Sequence, residues 1–177
     1  EVSDIGLTLK VIGNQWYWHY EYNTVVTGVF GYDQRMAVHF KDRNYRFQPR
    51  LLETTKPYVF IPTKTNIRLL ITSNDVLHSW ALPAAGIKID ACPGRLNEVF
   101  LRLNDELHLF GQCSEICGIN HAFMPIHVQS ISIWWFTNIM KENDFISLFD
   151  DKGQELKLFV NYWEKNINPY SNPFKAA

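Results

Sequence analysis

Short apolar segments recur along residues 7–110, and glycine, proline or asparagine stands between most of them. The segments are rich in aromatic and β-branched residues, which favour strands. They span residues 7–22, 58–61, 67–71, 76–82, 99–103 and 107–110. Because regularly spaced short strands of this kind are typical of two packed sheets or a closed sheet, the pattern predicts an all-β sandwich or barrel.

The amino-acid composition is that of one compact domain. A chain of 177 residues is too short for two full cores, and 46% hydrophobic residues against 20% charged ones exclude intrinsic disorder. The net charge of -1 lacks the basic excess of nucleic-acid-binding proteins, so we expect no nucleic-acid partner. Residues 35–68 nevertheless carry eight lysines and arginines against two acidic residues. Such a segment usually forms a solvated basic face, and an anionic partner is the alternative.

The window at residues 116–140 contains no Asp, Glu, Lys or Arg and therefore has to be tested as a membrane span. It includes Asn120, His121 and His127, whose polar groups are expensive in hydrocarbon, and its apolar stretches are short. We therefore predict no transmembrane helix. No signal-peptide pattern opens the chain, and its first residue is Glu1, so we expect a processed, split or trimmed polypeptide.

The sequence changes character after residue 133. Apolar residues then repeat with the spacing of an amphipathic helix over residues 154–165. They are Leu156, Phe159, Val160 and Trp163. We predict a first domain, 1–133, followed by a partly helical C-terminal extension, 134–177. The apolar stripe most often packs on its own domain, and contact with a partner is the alternative.

Four side chains that bind soft or borderline metal ions lie within twelve residues of one another. They are Cys113, Cys117, His121 and Met124. A helix would place the first three on one face, but Gly118 and Pro125 disfavour a helix and favour a loop that curls around an ion. His78, on a separate predicted strand, is the fifth candidate ligand.

This donor set favours copper over zinc. Structural zinc takes Cys and His and seldom uses Met, whereas thiolate, imidazole and thioether together suit copper. A mononuclear blue-copper site needs only one cysteine. The extra thiolate therefore indicates two copper ions bridged by Cys113 and Cys117, with a backbone carbonyl as a further ligand. A disulfide between these cysteines is the alternative, and Cys92, which lies apart, is predicted to be a buried small hydrophobe.

Several segments form an ordered set along roughly residues 8–130. They are Gln15-Trp-Tyr-Trp18, Asp75-Val-Leu-His-Ser-Trp80, Pro93-Gly-Arg-Leu-Asn97, Gly111-Gln-Cys-Ser-Glu-Ile-Cys-Gly118 and His121-Ala-Phe-Met-Pro125. Together they resemble cytochrome c oxidase subunit II, and so long an ordered set makes the resemblance specific. The resemblance implies a cupredoxin-like Greek-key β-barrel that holds the binuclear copper centre CuA.

The resemblance also implies a role for each site residue. The implied copper ligands are the side chains of His78, Cys113, Cys117, His121 and Met124 and the main-chain carbonyl of Glu115. The carboxylate of Glu115 would help to bind a magnesium ion at the boundary with subunit I, a role that suits a hard oxygen ligand. Trp16 would be the point of electron entry from cytochrome c, with Tyr17 beside it. Trp18 and Tyr20 are expected in the core.

By the same resemblance, the chain is the electron-entry subunit of a terminal respiratory oxidase, a proton-translocating oxidoreductase of the mitochondrial inner membrane. It would accept electrons from cytochrome c in the intermembrane space and pass them to the haem of subunit I, where oxygen is reduced. Protein donors fill every coordination position, which favours electron transfer over bond chemistry. A CuA domain of another reductase, such as one like nitrous-oxide reductase, and a zinc-stabilised interaction module are the alternatives.

Two features depart from the family pattern. Members usually begin with two transmembrane helices, which this chain lacks, so we expect the membrane hairpin on a separate polypeptide. We also expect the extension 134–177 to contact neighbouring oxidase subunits. The basic segment 35–68 would repel the basic cytochrome c, so the docking carboxylates are expected elsewhere. The candidates are acidic residues expected near the metal-ligand loop, namely Glu98, Asp105 and Glu106.

Overall fold

The computed structural model describes residues 4–24, 28–37, 52–55 and 58–141. Within these ranges the chain forms ten strands and one α-helix. The strands are β1 (Leu7–Asn14), β2 (Tyr17–Thr24), β3 (Gly28–Gln34), β4 (Val59–Pro62), β5 (Ile67–Ser73), β6 (His78–Leu82), β7 (Ile87–Ala91), β8 (Asn97–Leu101), β9 (His108–Cys113) and β10 (Pro125–Ile131). The helix is α1 (Ile133–Lys141). The all-β prediction is confirmed.

The strands form two five-stranded sheets, in the orders β3-β2-β1-β5-β8 and β4-β10-β9-β6-β7. β1 is antiparallel to β2 and parallel to β5, and β10 is antiparallel to β9 and parallel to β4. With these strand directions, the connections β1–β2, β5–β6, β7–β8 and β9–β10 all lie at one end of the molecule. We call this the ligand end, because the predicted metal ligands lie on two of these connections.

The core lies between the two sheets. In β5, Ile67, Leu69 and Ile71 are buried, while the residues between them are only half-buried. This alternation is the period of a strand with one covered face. From β2, Trp18 and Tyr20 are completely buried, as predicted.

The segment 7–22, which the sequence presents as one continuous run, is an antiparallel hairpin. β1 and β2 pair along their whole length, and Asn14 faces Tyr17 across the turn. The turn itself consists of Gln15 and Trp16. The hairpin therefore carries Trp16 to the ligand end.

The uncharged window at residues 116–140 forms a loop, a strand and a helix. β10 is buried along its whole length, and α1 has only nine residues. No helix in the described part of the chain has the length and hydropathy that crossing a bilayer requires.

A side-chain amide links the two sheets near the ligand end. Gln34, at the end of β3, donates from Nε2 to the carbonyl oxygen of His127 over 3.0 Å. Its Oε1 accepts from the N–H of the same residue, also over 3.0 Å. Gln34 thus satisfies both backbone groups of His127, at a point where β10 has not yet paired with β4.

Residues 1–141 form one compact unit, to which α1 belongs. The aromatic ring of Phe136 on α1 lies 6.5 Å from that of Tyr22, measured between centroids. Residues 142–177 lie outside the described residues. The predicted helix over 154–165, the division at residue 133 and the role of the extension therefore stay predictions.

Candidate metal centre

Two connections at the ligand end carry the predicted metal ligands. His78 begins β6, Cys113 ends β9, and the other ligands lie on the β9–β10 connection, residues 114–124. This connection closes on itself, since the N–H of Cys113 donates to the carbonyl of Met124 over 3.3 Å. Its only regular element is a short 3-10 turn, His121–Phe123. The ligands therefore stand on a loop rather than a helix, as predicted.

The two thiols form the centre of the cluster. The sulfurs of Cys113 and Cys117 are 3.8 Å apart. Nδ1 of His78 lies 3.9 Å from the sulfur of Cys113, and Nδ1 of His121 lies 3.4 Å from the sulfur of Cys117. Each sulfur therefore has one imidazole nitrogen beside it.

Two weaker donors complete the cluster. The thioether sulfur of Met124 lies 3.5 Å from the sulfur of Cys117. The carbonyl oxygen of Glu115 lies 3.3 Å from the sulfur of Cys113. His78, Met124 and both cysteines are buried, which keeps bulk water away from the donor atoms. The structure brings together all six of the predicted copper ligands.

The thiol separation distinguishes a metal site from a disulfide. A disulfide bond is about 2.05 Å long, whereas Cys113 and Cys117 are both free. Two thiolates that each lie about 2.3 Å from one ion, at a near-tetrahedral angle, are about 3.8 Å apart. His78 and the two cysteines also place one ligand atom each within 4.8 Å of one another. The donors therefore fit a soft metal ion.

Asp75 orients the imidazole of His78. Its Oδ1 lies 2.8 Å from Nε2 of His78, and a carboxylate accepts there, so Nε2 carries the proton and Nδ1 presents its lone pair to the sulfurs. Burial disfavours the imidazolium, but the hydrogen bonds with Cys113 and Asp75 outweigh burial and raise the pKa of His78. Gly13 leaves room for the ring, since a Cβ there would lie 2.7 Å from Cδ2 of His78.

The two thiols differ in acidity. Burial opposes ionisation of Cys113, but hydrogen bonds, first of all the one with His78, outweigh it and lower the pKa of this thiol. Burial and the negative charge of Cys113 both raise the pKa of Cys117. Cys113 therefore loses its proton first, and the second thiolate forms when a cation compensates its charge.

Trp16 lies directly against residues 113–124, which carry both thiols and which we call the thiol loop. Its indole Nε1–H donates to the carbonyl oxygen of Cys117 over 3.2 Å, and the side-chain amide of Gln15 donates to the same oxygen over 2.9 Å. The backbone N–H of Gln15 donates in turn to Oδ2 of Asp75 over 2.7 Å. A Cβ on Gly118, whose φ is +118°, would lie 3.1 Å from both Gln15 and Trp16. Glycine at 118 therefore allows this close approach.

Sequence reasoning missed two residues of the site and misplaced others. Asp75 and Gln15 were not expected to contact the cluster; the only signal was the spacing of Asp75, three residues before His78. Asp105 and Glu106 precede β9, whose other end is Cys113, so they lie at the end remote from the thiols. The expectation that they flank the thiol loop is wrong, because β9 separates them from it along its full length.

Two of the remaining predicted residues lie at the ligand end. Tyr17 follows Trp16 and is half-buried, with the guanidinium of Arg35 over its ring. Glu115 is half-buried on the thiol loop. Cys92 is only half-buried rather than buried, because the β7–β8 connection that carries it is exposed.

Comparison with known proteins identifies the family. The profile described as cytochrome C oxidase subunit II, periplasmic domain, matches residues 7–131. The chain belongs to the cytochrome c oxidase subunit II family. It is 49% identical over 140 residues to cytochrome c oxidase subunit 2 of Oenothera berteroana, covering 77% of this chain and 53% of that protein. It is also 49% identical over 134 residues to a subunit 2 of Vigna unguiculata described as mitochondrial, covering 74% and 35%.

A solved subunit II domain has the same fold. The periplasmic domain of subunit II of cytochrome oxidase (CoxB) of Bradyrhizobium japonicum is 38% identical and superposes with a TM-score of 0.70. The match covers 82% of this chain and 99% of that domain. The predicted cupredoxin-like fold of subunit II is thereby confirmed. The chain spans about half the length, or less, of the curated relatives it matches.

Proposed function

We propose that this chain is the electron-entry part of a terminal respiratory oxidase. It accepts electrons from cytochrome c at a binuclear copper centre, CuA, and passes them to the haem of subunit I. One observation carries the proposal: two thiols, two imidazoles, a thioether and a carbonyl converge in one cluster, and Trp16 donates a hydrogen bond to that cluster's own loop. Family membership supports the same function.

The cluster supplies ligands for two copper ions. The side chains of Cys113, Cys117, His78, His121 and Met124 and the main-chain carbonyl of Glu115 would hold these ions. When bound, the copper pair supplies a one-electron redox couple. The chain contributes a dry set of donors whose positions change little on electron transfer, because the loop that carries them is tied at both ends.

Trp16 is the residue through which electrons enter. Its half-buried ring reaches the surface on one side and contacts the carbonyl of Cys117 on the other. Tyr17 lies beside it and widens the aromatic contact for the donor. No proton acceptor is needed beside the Trp16 ring, because this step moves only an electron.

The carboxylate of Glu115 helps to bind a magnesium ion that is shared with subunit I. Mg²⁺ keeps several waters and takes one or two carboxylates from the protein. Among the described residues, no group of three metal-binding side chains includes Glu115. A neighbouring subunit would therefore have to supply the other protein ligands of this ion.

We place the chain at the mitochondrial inner membrane, facing the intermembrane space, as one part of a proton-translocating oxidoreductase. The relative from Vigna unguiculata that is described as mitochondrial supports this location. The Bradyrhizobium domain is described as periplasmic, and the periplasm is the equivalent compartment in a bacterium. Oxygen reduction belongs to subunit I.

Copper reconstitution tests this function. The reduced, metal-free chain is titrated without oxygen with equal amounts of Cu(I) and Cu(II), and its metal content and electron paramagnetic resonance spectrum are recorded. We expect two coppers per chain and one unpaired electron shared by both nuclei. Cys117→Ser is the matched control and is expected to abolish the shared signal, because a single thiolate remains. Copper uptake that stops at one ion per chain, or a copper signal from one nucleus only, would overturn the proposal and favour a mononuclear site or an interaction module.

A further inference from the structure

A fixed positive charge stands beside the proposed point of electron entry. The guanidinium carbon of Arg35 lies 3.7 Å from the centre of the Tyr17 ring, which is a cation–π contact. Nη2 of Arg35 also donates to Oδ2 of Asp33 over 2.9 Å. The other carboxylate oxygen of Asp33 lies 2.8 Å from Nδ1 of His19. Both oxygens of Asp33 are therefore engaged within this chain.

The backbone holds Arg35 at this place. Its N–H donates to the hydroxyl of Thr55 over 3.1 Å, and its carbonyl accepts from the N–H of Thr55 over 2.7 Å. Arg35 directly follows β3, whose last residue, Gln34, pairs with Trp18. Arg35 therefore stands level with Tyr17. A guanidinium fixed in this way loses little conformational freedom when a partner binds it.

The exposed part of Arg35 suits a carboxylate. The side chain is 52% exposed, and a guanidinium has five N–H donors, of which the contacts within the described chain use one. The remaining donors are available for bidentate binding of a carboxylate. Conversely, Asp33 is neutralised by its pairing with Arg35, so it offers little attraction to a lysine of an approaching protein.

These contacts bear on the choice of electron donor. Resting on the proposed function, we propose that Arg35 is a specificity-determining residue of the docking face. Among cytochrome c donors it favours one that presents a carboxylate opposite Tyr17, and it disfavours one that presents lysine there. The residue acts on docking of the donor and does not belong to the electron path.

Electron transfer to the copper-loaded full chain from two forms of one donor tests the proposal. The probes are reduced, lysine-rich cytochrome c and the same protein with its lysines succinylated to carboxylates. At low salt we expect Arg35→Gln to raise the second-order rate constant for the lysine-rich form about threefold and to lower that for the succinylated form about threefold. High salt should diminish both effects. Arg35→Lys, which keeps the charge but lacks the planar fork, should lie between the parent and Arg35→Gln for the succinylated donor.

Lys10→Gln is the matched control. It removes the same charge from the same sheet, but Lys10 pairs with Glu21, four residues along β2 from Tyr17. We expect a smaller effect from it than from Arg35→Gln. Equal effects of the two variants, or rates with Arg35→Gln that change in the same direction for both donors, would overturn the proposal. If the parent accepts no electrons from either donor, the proposed function itself fails, so the two failures are distinguishable.

Discussion

Trp16 and Cys117 are joined by a hydrogen bond of 3.2 Å from the indole Nε1–H to the main-chain carbonyl oxygen. The two residues are 101 positions apart in sequence. This bond is a direct contact between an accessible aromatic ring and the thiol loop. It connects the β1–β2 turn to the main chain of a predicted metal ligand.

Replacement of Trp16 by Phe keeps an aromatic ring but removes the donor of this bond. We expect the rate of reduction by cytochrome c to fall at least about tenfold, because the hydrogen bond between the ring and the thiol loop is lost. A tenfold fall corresponds to about 1.4 kcal/mol of barrier. Stopped-flow reduction of the copper-loaded chain measures this. Trp18→Phe is the matched control: it alters the buried indole on the adjoining strand β2, two residues away, and we expect it to lower stability more than rate. Equal rates for Trp16→Phe and the parent would exclude electron entry through the Trp16 indole and its hydrogen bond to Cys117.

Asp75→Asn tests the orientation of His78. The carboxylate accepts from Nε2 of His78 and from the backbone of Gln15. An amide nitrogen cannot accept, so one of these bonds is lost or weakened. Because substitution of such supporting groups typically lowers metal affinity about 10- to 100-fold, we expect a loss in that range in competition against a copper chelator. An unchanged affinity would show that the protein matrix alone orients the imidazole.

Gly13→Ala tests the same imidazole by steric means. A Cβ at this position would lie 2.7 Å from Cδ2 of His78, so the ring or the strand has to move. We expect weaker copper binding together with a loss of stability of about 1–3 kcal/mol, as for overpacking in a core. Gly86→Ala is the control, because nothing lies within 4 Å of its Cβ and only its φ of +67° opposes alanine. That variant should cost about 1 kcal/mol and leave copper affinity unchanged.

The acid stability of the chain should depend on His127. Burial, and next the charge of His108, lower the pKa of His127 from 6.5 to about 3. Below pH 6.5 the unfolded chain therefore takes up a proton that the folded chain refuses. The stability that the neutral His127 contributes is fully present above the pKa of the unfolded chain. It is lost as the pH falls towards the pKa of the folded chain. At pH 5 the loss is about 2 kcal/mol for this group.

Urea unfolding of the copper-free chain at pH 7 and pH 5 measures this effect. We expect His127→Gln to reduce the difference in the free energy of unfolding between pH 7 and pH 5, since glutamine does not titrate. Nuclear magnetic resonance of the parent supplies a second test, in which the His127 ring signals should stay constant down to pH 5. Titration of that ring near pH 6.5 would contradict the prediction.

The strands that could be predicted are those with one covered face. β5 alternates buried and half-buried residues and is recognisable from its sequence. β10 is not, because side chains on both of its faces are buried, including those of the polar residues His127 and Gln129. Alternation disappears in such a strand, and its place in the sheet becomes visible only once the other strands are known.

The site was predictable as far as its ligands are close in sequence. Cys113 to Met124 lie on one loop, and the softness of the donors indicates the kind of metal. The contacts between Gln15 and Asp75, and between Gln15 and Cys117, join positions 60 and 102 residues apart. They depend on how two sheets pack, which a local pattern does not contain.

The bond between the ends of the thiol loop, from Cys113 to Met124, joins main-chain atoms only. The closure of this loop therefore does not depend on which side chains the loop carries. A ligand substitution should for that reason abolish metal binding before it unfolds the barrel, so a defect in copper binding can be separated from a defect in folding.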